Sequence, residues 1–415
     1  MSERGARRAL THVGGPTELG GDAEAAALLG RALAAAEDPE AGRAHVHGFH
    51  SYPARLHPAV ARELIAGLSP PGGAVLDPFC GSGTVLVEAR LLGRRALGVD
   101  ANPLAVLLSE LKAAGRGERE CEGLLAAAAE VSAVAEARRR ARAGASRPYP
   151  PDEFAAFDPH VLLELDGLRV GLEALRDREA RADLELVLSS LLTKLGRRAG
   201  DSSEAAVPKR LAAGYPTRLF VKKTEELVAR LRAYRGALPP RAPSPVVREG
   251  DARGLGRAGL PPLSLVLSSP PYPGTYDYLH HHALRLRWLG LDAEGFDRSE
   301  IGARRRLNEL PFAEALARWE GDLEAVLAPL GRRLESGGAI VLVIADSVLA
   351  GRALDSERSV RRVAARAGLG LFARASQRRP HFHGPTRRAF GAGAPKREHA
   401  LLLRPAALAG RAAGA

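Results

Sequence analysis

Cysteine is almost absent: the 415 residues hold two, Cys80 and Cys121. Two thiols cannot make a disulfide framework or a cysteine zinc cluster, and their scarcity fits a reducing, cytoplasmic setting. Aromatic residues make up 5% of the chain. No apolar run approaches the roughly 20 residues of a membrane-crossing helix. The opening MSERGARRALTHVGG has charge but no apolar segment behind it, so no secretory leader is expected. Lysine is also scarce, six of 60 basic residues, a bias expected of GC-rich coding.

What is present is a chain of 46% hydrophobic and 26% charged residues. That is enough apolar material for a full core, in one elaborated α/β domain or two domains. The net charge is +12 and the pI about 10.2. The excess is concentrated: residues 351–415 hold 14 Lys and Arg against three acids, and residues 194–223 hold eight against two. Clustered positive charge predicts a polyanionic partner, most simply nucleic acid, and without a long apolar run no membrane partner is expected.

Along the chain, residues 1–44 read as a mobile or loosely packed lead-in, with a helix over 22–37. A second helix is expected from Pro58, since proline is favoured in a first helical turn. From residue 73 the pattern becomes strand (74–76), glycine turn (81–83), helix (84–92) and strand (96–99) ending at Asp100. This βαβ unit seeds a doubly wound parallel sheet. Residues 114–243 break the alternation. Their apolar residues recur at three and four, which predicts a helical insertion. Strands resume at 245–249 and 263–267, followed by a helix over 312–336 and a strand over 339–344. Two further strands, 368–372 and 399–403, would close as a hairpin around a basic loop, 373–397.

Two motifs carry chemistry. The first is Asp77-Pro-Phe79-Cys80-Gly81-Ser82-Gly83-Thr84, at a strand end and opening a helix. Backbone N–H groups of a glycine turn can approach a ligand closely. Leu86 stands where a dinucleotide fingerprint needs its third glycine, and no lysine makes a phosphate loop. Asp100 ends the next strand, where a carboxylate can accept both hydroxyls of a ribose. A nucleoside without a pyrophosphate fits; a tight turn with no ligand is the bland alternative.

The second motif is Ser269-Pro270-Pro271-Tyr272, after an apolar strand. Two prolines end the ladder and stiffen the turn. An exocyclic base amine is a poor nucleophile, because its lone pair is delocalised into the ring. Acceptors aimed at the NH₂, here Ser269 and the Pro270 carbonyl, favour a nucleophilic nitrogen and its developing positive charge. Tyr272 can stack on the base. A proline-rich turn with a packed tyrosine is the alternative for this segment alone.

Together the two motifs resemble those of S-adenosylmethionine-dependent nucleic-acid amino-methyltransferases of the cytosine-N4/adenine-N6 group. The resemblance covers about 45–113 and 244–404. It implies a Rossmann-like, doubly wound sheet of seven strands with the last antiparallel, within a catalytic domain of 45–113 and 244–415. It implies S-adenosylmethionine held by Asp77, Phe79, Cys80, Gly81, Ser82, Gly83, Thr84, Asp100, Ala101 and Asn102, with Asp100 on the ribose. It also places Tyr52, with Pro53 and Arg55, beside the methionine end, and Asp251 near the adenine amino group. Serine in the first position of the box is typical of cytosine-N4 enzymes, although Ser268 stands where threonine is usual. The reaction so implied is methylation of cytosine N4 in double-stranded DNA. Adenine N6 in DNA or guanine N2 in RNA is the alternative, and a non-catalytic nucleic-acid binder a remote one. The 185 residues between Gly83 and Ser269 exceed what a bare sheet needs, so the insertion is the candidate target-recognition region. Lys194, Arg197, Arg198, Lys209 and Arg210 there, and Arg378, Arg379, Arg387 and Arg388 in the C-terminal loop, are candidate phosphate contacts.

Supporting features are weaker. Asp277 and Tyr278 are expected to shape a base pocket. His280, His281 and His282 point about 100° apart on a helix and cannot share one metal ion; a solvated or DNA-facing turn is expected, with no metal. His381 and His383 are either surface residues or nucleic-acid contacts.

Overall fold

The computed structural model describes residues 16–197, 210–379, 384–391 and 395–409. Strand β1 (Thr17–Gly21) leads into α1 (Ala23–Ala34), and α2 (Pro58–Leu68) precedes the core βαβ unit: β2 (Ala74–Asp77), α3 (Thr84–Leu91), β3 (Arg95–Asp100), α4 (Pro103–Ala114). Among its described residues the insertion holds five helices, α5 (Glu118–Arg140), α6 (Pro151–Ala156), α7 (Pro159–Ala174), α8 (Arg178–Leu195) and α9 (Tyr215–Ala237). The sheet resumes with β4 (Val246–Glu249) and β5 (Leu263–Ser268), followed by α10 (Tyr278–Leu289), α11 (Ala293–Ser299), α12 (Arg304–Leu307) and α13 (Phe312–Gly331). Strand β6 (Leu334–Ala345), the small hairpin β7 (Ser347–Leu349) and β8 (Arg352–Leu354), α14 (Ser356–Arg366), β9 (Leu369–Arg379), α15 (Gly384–Phe390), β10 (Lys396–Pro405) and the short α16 (Ala406–Ala409) follow.

Among the described residues, eight strands form one sheet in the order β1-β9-β10-β6-β5-β2-β3-β4. From β4 to β6 all neighbours are parallel. The last strand, β10, inserts antiparallel between β6 and β9. The doubly wound sheet with an antiparallel final strand is therefore present, with one strand more than the seven expected. The addition is β1, which pairs antiparallel with β9 from Thr17 opposite Gln377 to Gly21 opposite Ala373. The lead-in is thus not loose over its described part. Asp22 caps α1 by accepting from the Ala25 N–H at 3.0 Å, and Leu29, Ala32 and Leu33 are buried.

Two apolar layers sandwich the sheet, and strand alternation decides which layer each residue joins. Ala339, Val341 and Val343 of β6 face one layer, while Ile340, Leu342 and Ile344 face the other. Central strands buried on both faces read as continuous apolar runs, which is why VLVIA and LVL were legible. The insertion joins the first layer: Leu124, Val131, Leu165, Leu188 and Leu231 belong to the same buried cluster as Val75 and Leu86. Two sequence boundaries move. Residues 334–336 start β6 rather than ending a helix, because α13 closes at Gly331. The basic loop is shorter than expected, because β9 runs on to Arg379 and β10 begins at Lys396.

Candidate active site

The carboxyl ends of β2, β3 and β5 open onto a cleft of about 800 Å³, lined by Asp77, Phe79, Cys80, Gly81, Ser82, Thr84, Asp100, Ala101, Asn102, Tyr52 and Ser269, among others. Ligands bind in this place in open α/β sheets. Asp100 accepts from the Gly81 N–H at 2.8 Å and from the Asn102 N–H at 2.9 Å. It thereby ties the turn after β2 to the end of β3. Burial raises its carboxyl to about 6 despite those two donors. Asp77 accepts from the Ser268 hydroxyl at 2.6 Å and from the Phe79 N–H at 3.0 Å. Burial, with Asp100 nearby, raises it to about 7.

The glycines have separate tasks. Gly81 has φ +52, and a Cβ there would stand 3.2 Å from the Tyr52 ring, so the ring lies directly against the turn. Gly83 has φ +84 and does not itself line the cleft; a Cβ on it would meet the Ser109 Cα at 3.0 Å. It lets α4 pack against the turn, where the Ser109 hydroxyl donates to the Gly81 carbonyl at 2.9 Å. Asn102 caps α4 by accepting from the Leu104 N–H at 3.1 Å and donates to the Tyr52 hydroxyl at 3.2 Å.

Tyr52 is held from behind as well. His282 stacks on it with centroids 5.0 Å apart. The segment that carries Tyr52 is anchored through buried Glu88, which takes His47 at 2.8 Å and Arg62 at 2.8 Å. Arg55 adds hydrogen bonds to the His47 and Gly42 carbonyls. The expectation of a solvated histidine turn therefore fails for His282. It lies on α10, fully buried, and burial, with Arg285 beside it, pushes its pKa well down, which keeps it neutral.

Ser269 borders a second cavity, also about 800 Å³, lined by Tyr272, Tyr276, Arg379, Lys396 and Glu398 with Ala54, Arg55 and Leu56, which also line the first. The double-proline turn between β5 and α10 is pinned by the Trp319 indole N–H, which donates to the Pro271 carbonyl at 3.1 Å. The Ser269 hydroxyl donates to that of Tyr272 at 3.4 Å.

Several expected residues lie elsewhere. Asp251 lines neither cavity; it caps the turn after β4 by accepting from the Arg253 N–H at 2.9 Å, and its carboxylate is gripped by the Arg253 side chain, 2.6 Å at the nearest. Asp277 also lines neither and holds the turn at α12 through Arg304 and the Arg305 N–H. Tyr278 lines the first cavity. Arg379 is not a surface phosphate contact: it is buried in the second cavity and ion-paired to Glu398. Arg197 pairs with Asp158 at 2.7 Å, while Lys194, Arg210, Arg378, Arg387 and Arg388 are exposed. Arg198, Lys209, His381 and His383 lie outside the described residues. Phe296, Glu300 and Ile301 of the first cavity, and Tyr276, Lys396 and Glu398 of the second, had no motif to announce them.

Residues 35–110 match the DNA methylase family of the N6/N4 type. The matched segment contains the glycine turn and Asp100, so the resemblance drawn from that motif holds. Over 68 residues the chain is 35% identical to the type II methyltransferase M.MjaII of Methanocaldococcus jannaschii, 16% of this chain and 13% of that protein. Over 51 residues it is 43% identical to the tRNA (guanine(10)-N2)-dimethyltransferase of Methanothermobacter thermautotrophicus, 12% of this chain and 15% of that protein. The chain thus spans less than a sixth of the length of these relatives. Among solved structures, the rRNA methyltransferase AviRa of Streptomyces viridochromogenes is 15% identical with a TM-score of 0.30, covering 88% of this chain and 92% of that one.

The cofactor of this family is S-adenosylmethionine, and the first cavity fits it. A half-buried carboxylate, Asp100, stands at the end of β3, where a ribose can be held. An aromatic wall leans on a glycine turn that a Cβ would crowd. The Ser82 hydroxyl is buried there without a protein partner.

Proposed function

We propose that the protein transfers a methyl group from S-adenosylmethionine to the exocyclic amine of a base in DNA, with cytosine N4 as the target. One observation carries the reading: Ser269, first residue of the Ser-Pro-Pro-Tyr box, stands in the wall shared by two cavities, together with Ala54, Arg55 and Leu56. A cofactor in the first and a base in the second would meet at that residue. When bound, the cofactor supplies an electrophilic methyl: the N–C bond forms as the S–C bond breaks, the sulfonium becomes a thioether, and the nitrogen releases one proton to solvent.

The chain's own residues then have defined tasks. Asp100 takes the ribose hydroxyls, and Tyr52 walls the cleft. Ser269 Oγ and the Pro270 carbonyl accept from the amine as its nitrogen gains positive charge. Tyr272 provides a stacking face in the second cavity. No covalent intermediate on the protein is needed. A duplex base must leave the stack to enter, at a cost of a few kcal/mol. Exposed Arg378, Arg387, Arg388, Lys194 and Arg210 supply phosphate contacts. Serine at position 269 favours cytosine over adenine as the family pattern has it, and the match to a tRNA guanine-N2 enzyme keeps RNA as the second reading.

The test is methyl transfer from labelled cofactor to plasmid DNA and to total RNA, with nucleosides separated after digestion. N4-methylcytosine is the expected product. Label confined to RNA would overturn the DNA reading. Tyr272→Ala should lose turnover at least 100-fold and keep cofactor affinity; loss of both together would mean that Tyr272 maintains the cofactor site instead.

A further inference from the structure

The second cavity contains a group that amino-methyl transfer alone does not explain. Arg379 is a strand residue, the last of β9, and only 9% exposed. Its guanidinium pairs with Glu398 on the neighbouring strand β10, yet its Nε is buried with no hydrogen-bond partner. It lines the cavity together with Lys396, Tyr272, Tyr276 and Ser269. A buried arginine with an unused donor, fixed by a carboxylate, is a directional hydrogen-bond donor rather than a general attractor of phosphate. Burial weakens the hold of both cations on their protons: Arg379 falls to about 10, and Lys396 is lowered as well, with Arg379 repelling it. With Arg55 on the wall shared with the first cavity, three cations line this space against one carboxylate, so the cavity favours a guest rich in acceptors.

The bases differ in what flanks their amine. Cytosine carries two acceptors beside N4, the ring N3 and then O2. Adenine has one acceptor, N1, and then a C–H. Guanine has the N1–H donor beside N2 on its Watson–Crick side, which would confront a cation, and a lone acceptor, N3, on its sugar side. With the amine at Ser269, only cytosine offers two consecutive acceptors along one side of it to Arg379 and Lys396. We infer that Arg379, oriented by Glu398 and assisted by Lys396, is the specificity-determining residue that reads the N3/O2 edge of a target cytosine. The inference rests on the proposed amino-methyl transfer and adds the base to it.

The experiment has two arms. The methylated position is first located by sequencing plasmid DNA treated with the enzyme and cofactor. Duplex oligonucleotides are then made with cytosine or 3-deazacytosine at that position; the analogue retains the amine but lacks the N3 acceptor. The wild-type enzyme is expected to methylate the analogue about 10- to 100-fold more slowly, the cost of one missing directional hydrogen bond to a base. Arg379→Gln should slow methylation of cytosine by a similar factor, discriminate little between the two duplexes, and bind cofactor as the wild type does. Arg379→Lys, which retains a charge for Glu398, guards against misfolding and should show the same loss of discrimination. Equal wild-type rates on the two duplexes, or full discrimination by the folded Arg379→Lys protein, would overturn the inference. N6-methyladenine as the product would overturn it too while leaving amino-methyl transfer standing. Absence of label in any nucleic acid would remove both.

Discussion

Asp77 offers the sharpest test of how the cofactor cleft is built. Its carboxyl is 4% exposed and is raised from an ordinary 3.8 to about 7 by burial. A raised carboxyl binds its proton more tightly in the folded than in the unfolded chain. Between about pH 4 and pH 7 the folded state therefore holds the extra proton, and stability falls as pH rises through that window. Below it both states are protonated, and above it both are ionised, so the effect is flat on either side. At about 1.4 kcal/mol per pH unit the full span is on the order of 4 kcal/mol. Asp77→Asn removes the charge and keeps an acceptor for the Ser268 hydroxyl and the Phe79 N–H. Its new amide N–H₂ needs a partner, so the observed gain should be smaller, roughly 1–3 kcal/mol at pH 8. Urea unfolding of both proteins at pH 4, 6 and 8 measures this. The variant should match or fall below the wild type at pH 4 and exceed it at pH 8. A difference independent of pH would refute the reasoning. So would a wild type that gains on the variant as pH rises. The same substitution should weaken binding of the sulfonium cofactor at pH 8, which would show that the strained charge serves the ligand.

Further expectations follow from the same geometry. Asp100 and Asp77 titrate near 6 and 7, so calorimetry should find cofactor binding about tenfold or more tighter at pH 8 than at pH 5.5; S-adenosylhomocysteine, which lacks the sulfonium charge, should show a shallower dependence. Gly83→Ala places a Cβ 3.0 Å from the Ser109 Cα at φ +84, and should cost about 2–4 kcal/mol in a denaturation experiment; an unchanged melting curve would show that α4 can yield. Replacing exposed Arg387 and Arg388 by alanine should reduce the salt dependence of DNA affinity by about one for each phosphate no longer neutralised, with cofactor binding unchanged. An unaltered salt slope would take α15 out of the DNA interface.

The parts of the site that sequence reasoning reached are those that backbone geometry dictates. A strand must stop at two prolines, and a turn at φ +52 and +84 favours glycine at Gly81 and Gly83, so both motifs fell at the carboxyl ends of strands as expected. What was not legible depends on pairing across distance. Strand β1 has no strong apolar alternation; its residues TELGG become a strand because β9 offers an unpaired edge. Arg379 reads as one basic residue among many until β9 and β10 pair, bringing Glu398 beside Gln377 and within reach of it. His282 has the same chemistry as His280, and only the helical turn sends it inward against Tyr52.

The insertion shows where composition and packing give different answers about function. Its charge and its place between the two motifs suggest a separable reader of DNA. Its packing does not separate: Leu184, Leu188 and Leu192 of α8 belong to the core that also holds Leu86 and Leu265. Arg285 on α10, beside His282, reaches back to donate to the Thr193 hydroxyl at 2.7 Å. Removing 114–243 would therefore strip the layer that supports His282 and, through it, Tyr52. A protein so truncated would lose cofactor binding whether or not the insertion reads DNA. Selectivity has to be tested on its surface instead. Lys194→Glu and Arg210→Glu change exposed charges and leave the shared core intact. If the insertion carries phosphate contacts, both should weaken DNA binding in a salt-dependent way with the cofactor affinity unmoved. If neither does, phosphate recognition rests with α15 and the residues around it.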